Sequence, residues 1–237
     1  MTNRPAETSP LIVARVAGLL YLVMGMIGAF SILYVPSTLI VPGDAATTAN
    51  NIMASEMLFR SGIVSGLLTQ IVFILLVLFL YRLLKPVNHN LALLMVIIVL
   101  VSVPISMLNE LNQFATLLLL NGADYLTAFE ADLLHAQVML FLDLHYNGIL
   151  ISGIFWGLWL FPLGFLVFKS GFLPRILGIL LMIGCFGYLI DSFTIFLFPS
   201  FKGIAQFTFI GELLLPLWLL IKGVNVEQWQ QRALESA

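Results

Sequence analysis

Four carboxylic acids lie inside long apolar stretches of this 237-residue chain, and these residues have the clearest capacity for chemistry. They are Glu110, Asp143, Asp191 and Glu212. An ionisable side chain near the centre of a bilayer costs ~2.5 kcal/mol or more, so such residues indicate function by default. Carboxylates of this kind suit a proton, a cationic ligand or a metal ion.

Neutral polar residues accompany these acids. Five of them between residues 91 and 120 are spaced four, three, four and three apart, which places them in one narrow stripe along a helix. They are Ser102, Ser106, Asn109, Gln113 and Thr116, with Glu110 at the edge of the stripe. In the next apolar stretch, Asp143 and Asn147 share a helix face, whereas His145 points elsewhere.

The polar residues concentrate in the extracytoplasmic half of the apolar stretches, which predicts a polar, acidic pocket that opens to the outside and is closed below by an apolar plug. Arg60 is either an interfacial residue or the counter-ion of Glu110 or Asp143. The alternative is that these groups only join helices through hydrogen bonds. The predicted pocket residues are Arg60, Asn109, Glu110, Gln113, Asp143, His145, Asn147, Asp191 and Glu212.

The histidines limit the possible metal chemistry. Intramembrane zinc hydrolases with three histidine ligands are excluded because His89 belongs to the opposite membrane side from His135 and His145. A mixed zinc or manganese site is chemically acceptable, with His145, Glu110, Asp143 and Asp191 as its candidate ligands. No spacing matches a known metal signature, so neither a metal nor a cofactor is predicted. The sequence also lacks G-x-S-x-G and nucleotide-binding loops.

Composition identifies the elements that must position these residues. The chain is 61% hydrophobic and 9% charged, and this leaves too few charged groups to cover a water-facing surface. Ten basic against twelve acidic residues also argue against nucleic-acid binding. Apolar runs of about 20 residues predict an all-α bundle of six transmembrane helices. The predicted spans are 11–35, 59–84, 91–120, 138–168, 176–198 and 204–221.

The charges of the short loops predict the orientation of this bundle. Eight of the ten cations fall on one side of a six-span arrangement, and only Arg60 and Lys202 fall on the other. The positive-inside rule therefore predicts cytoplasmic N- and C-termini. Two short extracytoplasmic helices are predicted at 45–58 and 124–135, the first capped by Asp44. One integral-membrane domain is predicted to cover residues 1–237.

Several long strings of the sequence resemble a bacterial membrane family, domain-of-unknown-function family 4386. They are ARVAGLLYLVMGMIGAF, VPGDAATTANNI, ASEMLFRSGIVSGLL, YRLLKPVNHNLALL and IFWGLWLFPLGFLVFKSGFLPRILGILLMIGCFGYLIDS. The resemblance extends from about Ala14 to Lys222. It implies a multi-pass protein of the bacterial inner membrane and brings no catalytic residues.

The leading functional hypothesis is a membrane protein that binds a small molecule, a lipid or a cation in the acidic pocket, with transport as an extension of that hypothesis. The first alternative is an intramembrane hydrolase that acts at the outer leaflet through a metal or an acid. The second is a structural or accessory subunit whose polar groups hold helices together. The lipid bilayer is the one partner that the sequence predicts, and it leaves the oligomeric state open.

Overall fold

The computed structural model describes residues 9–122, 124–198, 200–201 and 203–236. Helices make up most of these residues, and none of the residues so described lies in a β-strand. The predicted all-α fold is therefore confirmed. Within the described ranges, five helices are long and apolar enough to cross a membrane, or six if one bent pair forms a single span.

The helices are labelled in chain order. They are α1 (Pro10–Ala29), a π-helical segment (Phe30–Tyr34), α2 (Val35–Leu39), α3 (Ala45–Ala54), α4 (Glu56–Leu84), α5 (His89–Leu120), a 3-10 turn (Asp124–Leu126), α6 (Ala131–Leu158), α7 (Leu160–Ser170), α8 (Arg175–Leu197), α9 (Ala205–Thr208), α10 (Ile210–Ile221) and α11 (Val226–Glu235).

The chain divides into two compact units, each assembled from separate stretches of sequence. Unit 1 comprises Met1–Val23, Val72–Ser102 and Gly153–Ala237, and unit 2 comprises Met24–Ile71 and Val103–Ser152. Helices α1, α4, α5 and α6 contribute residues to both units. The single domain over 1–237 and the cytoplasmic termini stay predictions. Of the cations used for the orientation, Arg4 and Lys202 lie outside the described residues.

Unit 2 is built around an apolar core that several helices share. Asp44 caps α3 by accepting a hydrogen bond from the backbone N–H of Thr47 at 2.9 Å, as its sequence context predicts. Helix α3 ends at Ala54 and α4 starts at Glu56, so the helical stretch predicted at 45–58 is divided at Ser55. The buried core residues are Val35, Leu39, Ile52, Phe59, Ile63, Leu117, Val138 and Leu142.

Unit 1 packs around Trp159, which is 1% exposed. The ring centroid of Phe73 lies 4.9 Å from that of Trp159 in an edge-to-face arrangement, and the Tyr21 ring lies 5.8 Å away. Trp159 also lies at the junction of α6 and α7, which together form one helical stretch, Ala131–Ser170, over the span predicted at 138–168. One hydrogen bond is missing at this junction because Pro162 has no N–H to donate to the carbonyl of Leu158, four residues earlier.

The last helices of unit 1 are shorter than the predicted sixth span. Residues 204–221 form α9 and α10, which are separated at Phe209. The stretch Ala205–Ile221 meets α11 at 102°. Trp229 of α11 donates its indole N–H to the carbonyl of Leu83 at 2.8 Å, and this bond docks the C-terminal helix on the end of α4.

The segment 124–135, predicted as one short helix, differs in the structure. Only Asp124–Leu126 forms a 3-10 turn, and α6 begins at Ala131. The hydroxyl of Thr127 donates to the carbonyl of Asp124 at 2.7 Å, and such side-chain bonds to the backbone favour turns over continued helix.

Candidate functional site in unit 2

The buried face of α5 carries the predicted polar stripe. Ser102, Ser106, Gln113 and Thr116 are all buried, whereas Leu108 and Leu111 of the opposite face are 65% and 59% exposed. The spacing of the polar residues therefore identified the packed face of this helix. Asn109 and Glu110 lie at the edge of that face and are half-buried.

A hydrogen-bond network joins α5 to α6 through His145, which is 7% exposed. The side-chain nitrogen of Gln113 lies 2.7 Å from Nε2 of His145, and Nδ1 lies 3.2 Å from the carbonyl oxygen of Asn109. The Asn109 amide in turn donates to the carbonyl of His145 at 2.9 Å. These partners fit a neutral imidazole that donates from Nδ1 and accepts at Nε2.

Two glycines, Gly148 and Gly66, leave room for the side chains of Asn109 and Glu110. A Cβ added at Gly148 would overlap the side-chain amide of Asn109, and one added at Gly66 would overlap the carboxyl group of Glu110. The hydroxyl oxygen of Ser31 would lie 3.1 Å from that same Cβ at residue 66. Gly66 therefore provides the surface against which the Glu110 carboxyl group lies, with Ser31 beside it.

Ser31 lies in the π-helical segment at the end of α1. The segment ends where the N–H of Val35 reaches back five residues to the carbonyl of Phe30, one residue before Pro36. Ser31 is 3% exposed and donates its hydroxyl to the carbonyl of Gly62 at 2.9 Å. Short π-helical segments inside α-helices are rare and often occur at functional sites.

The carboxyl group of Glu110 is incompletely satisfied. Its Oε2 atom is buried, and no residue in the described part of the chain offers it a hydrogen bond. A buried polar atom without a partner is costly, whether the group is charged or neutral. Arg60, predicted as either an interfacial residue or the counter-ion of Glu110 or Asp143, pairs instead with Glu56 of its own helix at 2.6 Å.

Two other predicted site residues of unit 2 lie outside this network. Asp143 and Asn147 are exposed, and the Asn147 amide donates to the backbone carbonyl of Asp143 at 2.8 Å. They share a face of α6, as their spacing predicts, but His145 occupies the face that packs against α5. His145, which its spacing placed on a different face from Asp143 and Asn147, is therefore the residue of this group that joins the polar network.

The remaining two predicted site residues belong to unit 1. Asp191 accepts hydrogen bonds from the backbone N–H groups of Ile204 and Ala205 at 2.6 and 2.8 Å, so it holds the start of α9. Glu212 accepts a hydrogen bond from the Tyr21 hydroxyl at 3.1 Å through Oε2, while its buried Oε1 has no partner in the described part of the chain. Both acids therefore have protein donors inside their own unit.

Comparison with known proteins identifies the family. The family model described as "Domain of unknown function (DUF4386)" matches residues 16–223. The chain belongs to this family. The resemblance predicted from the long sequence strings is thereby confirmed. An uncharacterized protein of Archaeoglobus fulgidus is 37% identical over 153 residues, which cover 63% of this chain and 75% of the relative. No solved structure matches the chain.

The candidate site of this DUF4386 member is not organised as a metal centre within the described residues. Across those ranges, no three His, Cys, Asp or Glu side chains lie together in a group that could hold a metal ion. The mixed site considered from His145, Glu110, Asp143 and Asp191 is therefore not assembled there.

Sequence reasoning missed two components of the site. Gly66 was visible in Gly62-x-x-x-Gly66, a pattern that predicts close helix packing. Its proximity to a carboxyl group depends on the register between α4 and α5, which spacing along one helix does not give. Ser31 lies in the apolar string GAFSILY and has no polar neighbour at helical spacing, so no signal was available.

Proposed function

We propose that this DUF4386 protein is a membrane-embedded binding protein that takes a small cation or a protonated amine at Glu110. The supporting observation is the buried Oε2 atom of Glu110, which lacks a partner among the described residues. Arg60, one of whose possible roles was counter-ion to Glu110, pairs with Glu56. A protonated amine would supply both the charge and a hydrogen-bond donor to Glu110, and a metal cation would supply the charge and be coordinated by the carboxylate oxygen.

The oxygen atoms around Glu110 support this ligand class. Ser31 and the carboxyl group of Glu110 both border Gly66, and the carbonyl of Gly62 accepts the Ser31 hydroxyl hydrogen. Oxygen donors of this kind suit hard cations and ammonium groups. Gln113 and the backbone carbonyl of Asn109 hold the two ring nitrogens of His145. This network joins α5 to α6 and does not involve the side chain of Glu110.

Protection from a carbodiimide tests this function. Dicyclohexylcarbodiimide is apolar and reacts with protonated carboxyl groups: the acid proton moves to a carbodiimide nitrogen, and the carboxyl oxygen adds to the central carbon. Purified protein in detergent is treated with this reagent, and the modified peptides are quantified by mass spectrometry. Sodium, potassium, choline and ethanolamine are tested in turn as protecting cations.

We expect at least one of these cations to slow the modification of Glu110. Glu212 is the internal reference, because its carboxyl group has the Tyr21 donor and lies in unit 1. The variant Gly66→Ala should abolish the protection, whereas Gly25→Ala should retain it, since nothing lies within 4 Å of a Cβ at residue 25. If none of the cations changes the rate at which Glu110 is modified, its carboxyl group is permanently protonated and structural. That result would overturn the proposal.

The orientation and the cellular membrane belong to the same proposal. We infer that both termini are cytoplasmic, on the support of Arg15, Arg82, Lys85, Lys169 and Arg175 at the predicted inner ends of the spans. We infer the bacterial inner membrane from the family resemblance. Of single cysteines introduced in a Cys185→Ala background, the one at Asn90 should label from the cytoplasmic side and the one at Asp44 from the outside. The reverse pattern, or labelling of both from one side, would contradict this orientation.

A further inference from the structure

Unit 1 contains an open groove of about 470 Å³ between the start of α5 and the exposed face of α7. Leu94 and Phe161, two of its lining residues, are 46% and 43% exposed, so the groove is accessible from outside the protein. Its lining residues are Asn88, Asn90, Leu91, Leu94, Phe161 and Phe165.

The groove has a polar end and an apolar end. Asn88 and Asn90 are exposed at the start of α5, where the Asn88 side chain caps the helix by accepting from the N–H of Leu91 at 2.9 Å. Leu94 lies one helical turn further along α5. This sequence of polar and apolar residues along one helix is the pattern that a lipid headgroup followed by an acyl chain requires.

Positive charge adjoins the groove on α7. Phe161, Phe165 and Lys169 are spaced four residues apart, so they follow one another along one face of the helix. The Lys169 ammonium group lies 5.9 Å from the centroid of the Phe165 ring, which lines the groove. Lys169 therefore lies beside a residue that lines the groove.

A second cation strengthens the positive charge beside the groove. The Phe168 ring has the Lys169 ammonium group at 5.9 Å and the Arg175 guanidinium group at 5.8 Å. Both cations lie beside the same ring, so this region carries a local positive charge that favours an anion. In this part of unit 1, Glu235 pairs with Arg232 at 3.2 Å, so its charge is offset by its own helix.

We propose that this groove binds an anionic phospholipid, with an acyl chain along Leu91, Leu94, Phe161 and Phe165 and the phosphate beside Lys169. Basic groups next to grooves between membrane helices are a known basis of anionic-headgroup recognition. A zwitterionic lipid offers the same acyl chain, and inorganic phosphate offers the same anion, but only an anionic phospholipid matches both ends. This site is distinct from Glu110, and its ligand has the opposite charge.

The first test measures lipid binding to the whole protein. In detergent, thermal unfolding is followed with added dioleoyl phosphatidylglycerol, dioleoyl phosphatidylcholine or inorganic phosphate. We expect phosphatidylglycerol to raise the Tm more than either control, and Lys169→Gln to weaken its apparent affinity about fivefold, as expected for the loss of one cation near a lipid surface. The control Lys222→Gln removes another unit 1 cation, one that is not placed over the ring of Phe165 or Phe168, and it should keep the wild-type response.

The second test locates the lipid and does not depend on stability. Phosphatidylglycerol that carries a diazirine in its acyl chain is photolysed in proteoliposomes, and the labelled peptides are mapped. Label on 91–94 and 161–165 that decreases in Leu94→Trp, where the larger side chain fills the groove, supports the proposal. Equal Tm responses to the two phospholipids, a Lys222→Gln effect as large as that of Lys169→Gln, or label confined to other helices would each overturn it.

Discussion

Asp191 of unit 1 and Glu110 of unit 2 differ in the hydrogen-bond donors that surround them. Both Asp191 of unit 1 and Glu110 of unit 2 border a glycine, Gly203 and Gly66, at which a Cβ would crowd the carboxyl group. Asp191 receives two backbone N–H groups, whereas Glu110 Oε2 has no partner among the described residues. Burial of an acid inside an apolar stretch is therefore an incomplete sign of function, and the supply of donors separates the two cases.

The largest expected effect tests the structural acid. We expect Asp191→Ala to lower the free energy of unfolding by about 3 kcal/mol, because two N–H groups at the start of α9 lose a charged acceptor. Asp191→Asn should lower the free energy of unfolding by a smaller amount, since the amide keeps one acceptor oxygen. Denaturant titration in detergent measures both, and Asp143→Asn is the control, an acid that is exposed on α6.

Glu110→Gln completes this comparison. An acid without a protein donor gains nothing from its charge within the fold, so its neutral amide should leave the free energy of unfolding unchanged or raise it. A loss comparable to that of Asp191→Ala would place Glu110 among the structural acids and remove the contrast between the units.

The second prediction concerns the space beside Glu110. Gly66→Ala should lower the free energy of unfolding by about 2 kcal/mol, as is typical of overpacking, because the added Cβ overlaps the carboxyl group. Glu110→Ala in the same chain should recover most of this loss. The coupling energy from the double-mutant cycle is the decisive quantity, and a value near zero would show that the two residues do not touch.

The sequence predicted the packed face of α5 but not the rotation of α6. A stripe such as Ser106, Gln113 and Thr116 identifies a helix face from spacing alone, and all three residues are buried. On α6, Asp143 and Asn147 form an equally regular pair and are exposed, while the single residue His145 faces α5. Spacing along one helix shows which residues share a face. It does not show which face packs against a neighbouring helix, because that depends on contacts between the helices.

The sequence pattern also did not predict the irregularities of the backbone. The apolar string around Ser31 predicts a continuous helix, and the π-helical segment there depends on how Val35 bonds ahead of Pro36. The cap that Asp191 gives to α9 connects residues 13 and 14 positions apart across a loop. Such long-range bonds are set by tertiary packing, whereas the apolar spans themselves follow from composition.

A smaller effect is expected from the satisfied network of unit 2. Gln113→Ala should lower the free energy of unfolding by about 1.5 kcal/mol, because Nε2 of buried His145 loses its partner. Asn147→Ala is the matched control, since this exposed amide bonds only to the carbonyl of Asp143 on its own helix. Equal losses for the two variants would show that the interhelical contact through His145 contributes no more than a surface bond.

The smallest effect is expected at Asp44, the exposed acid that caps α3. The backbone N–H and then the hydroxyl of Thr47 donate to Asp44, and together they lower the pKa of that carboxyl group below its ordinary value of 3.8. A lowered pKa means that the charged form stabilises the fold above pH 3.8 and that this contribution is lost as the pH falls through the lower, folded-state pKa. Asp44→Asn keeps an acceptor oxygen but cannot titrate. We therefore expect the wild type and this variant to differ in Tm at neutral pH and to converge in acid, and a constant difference across this range would refute the cap as the source of the charge effect.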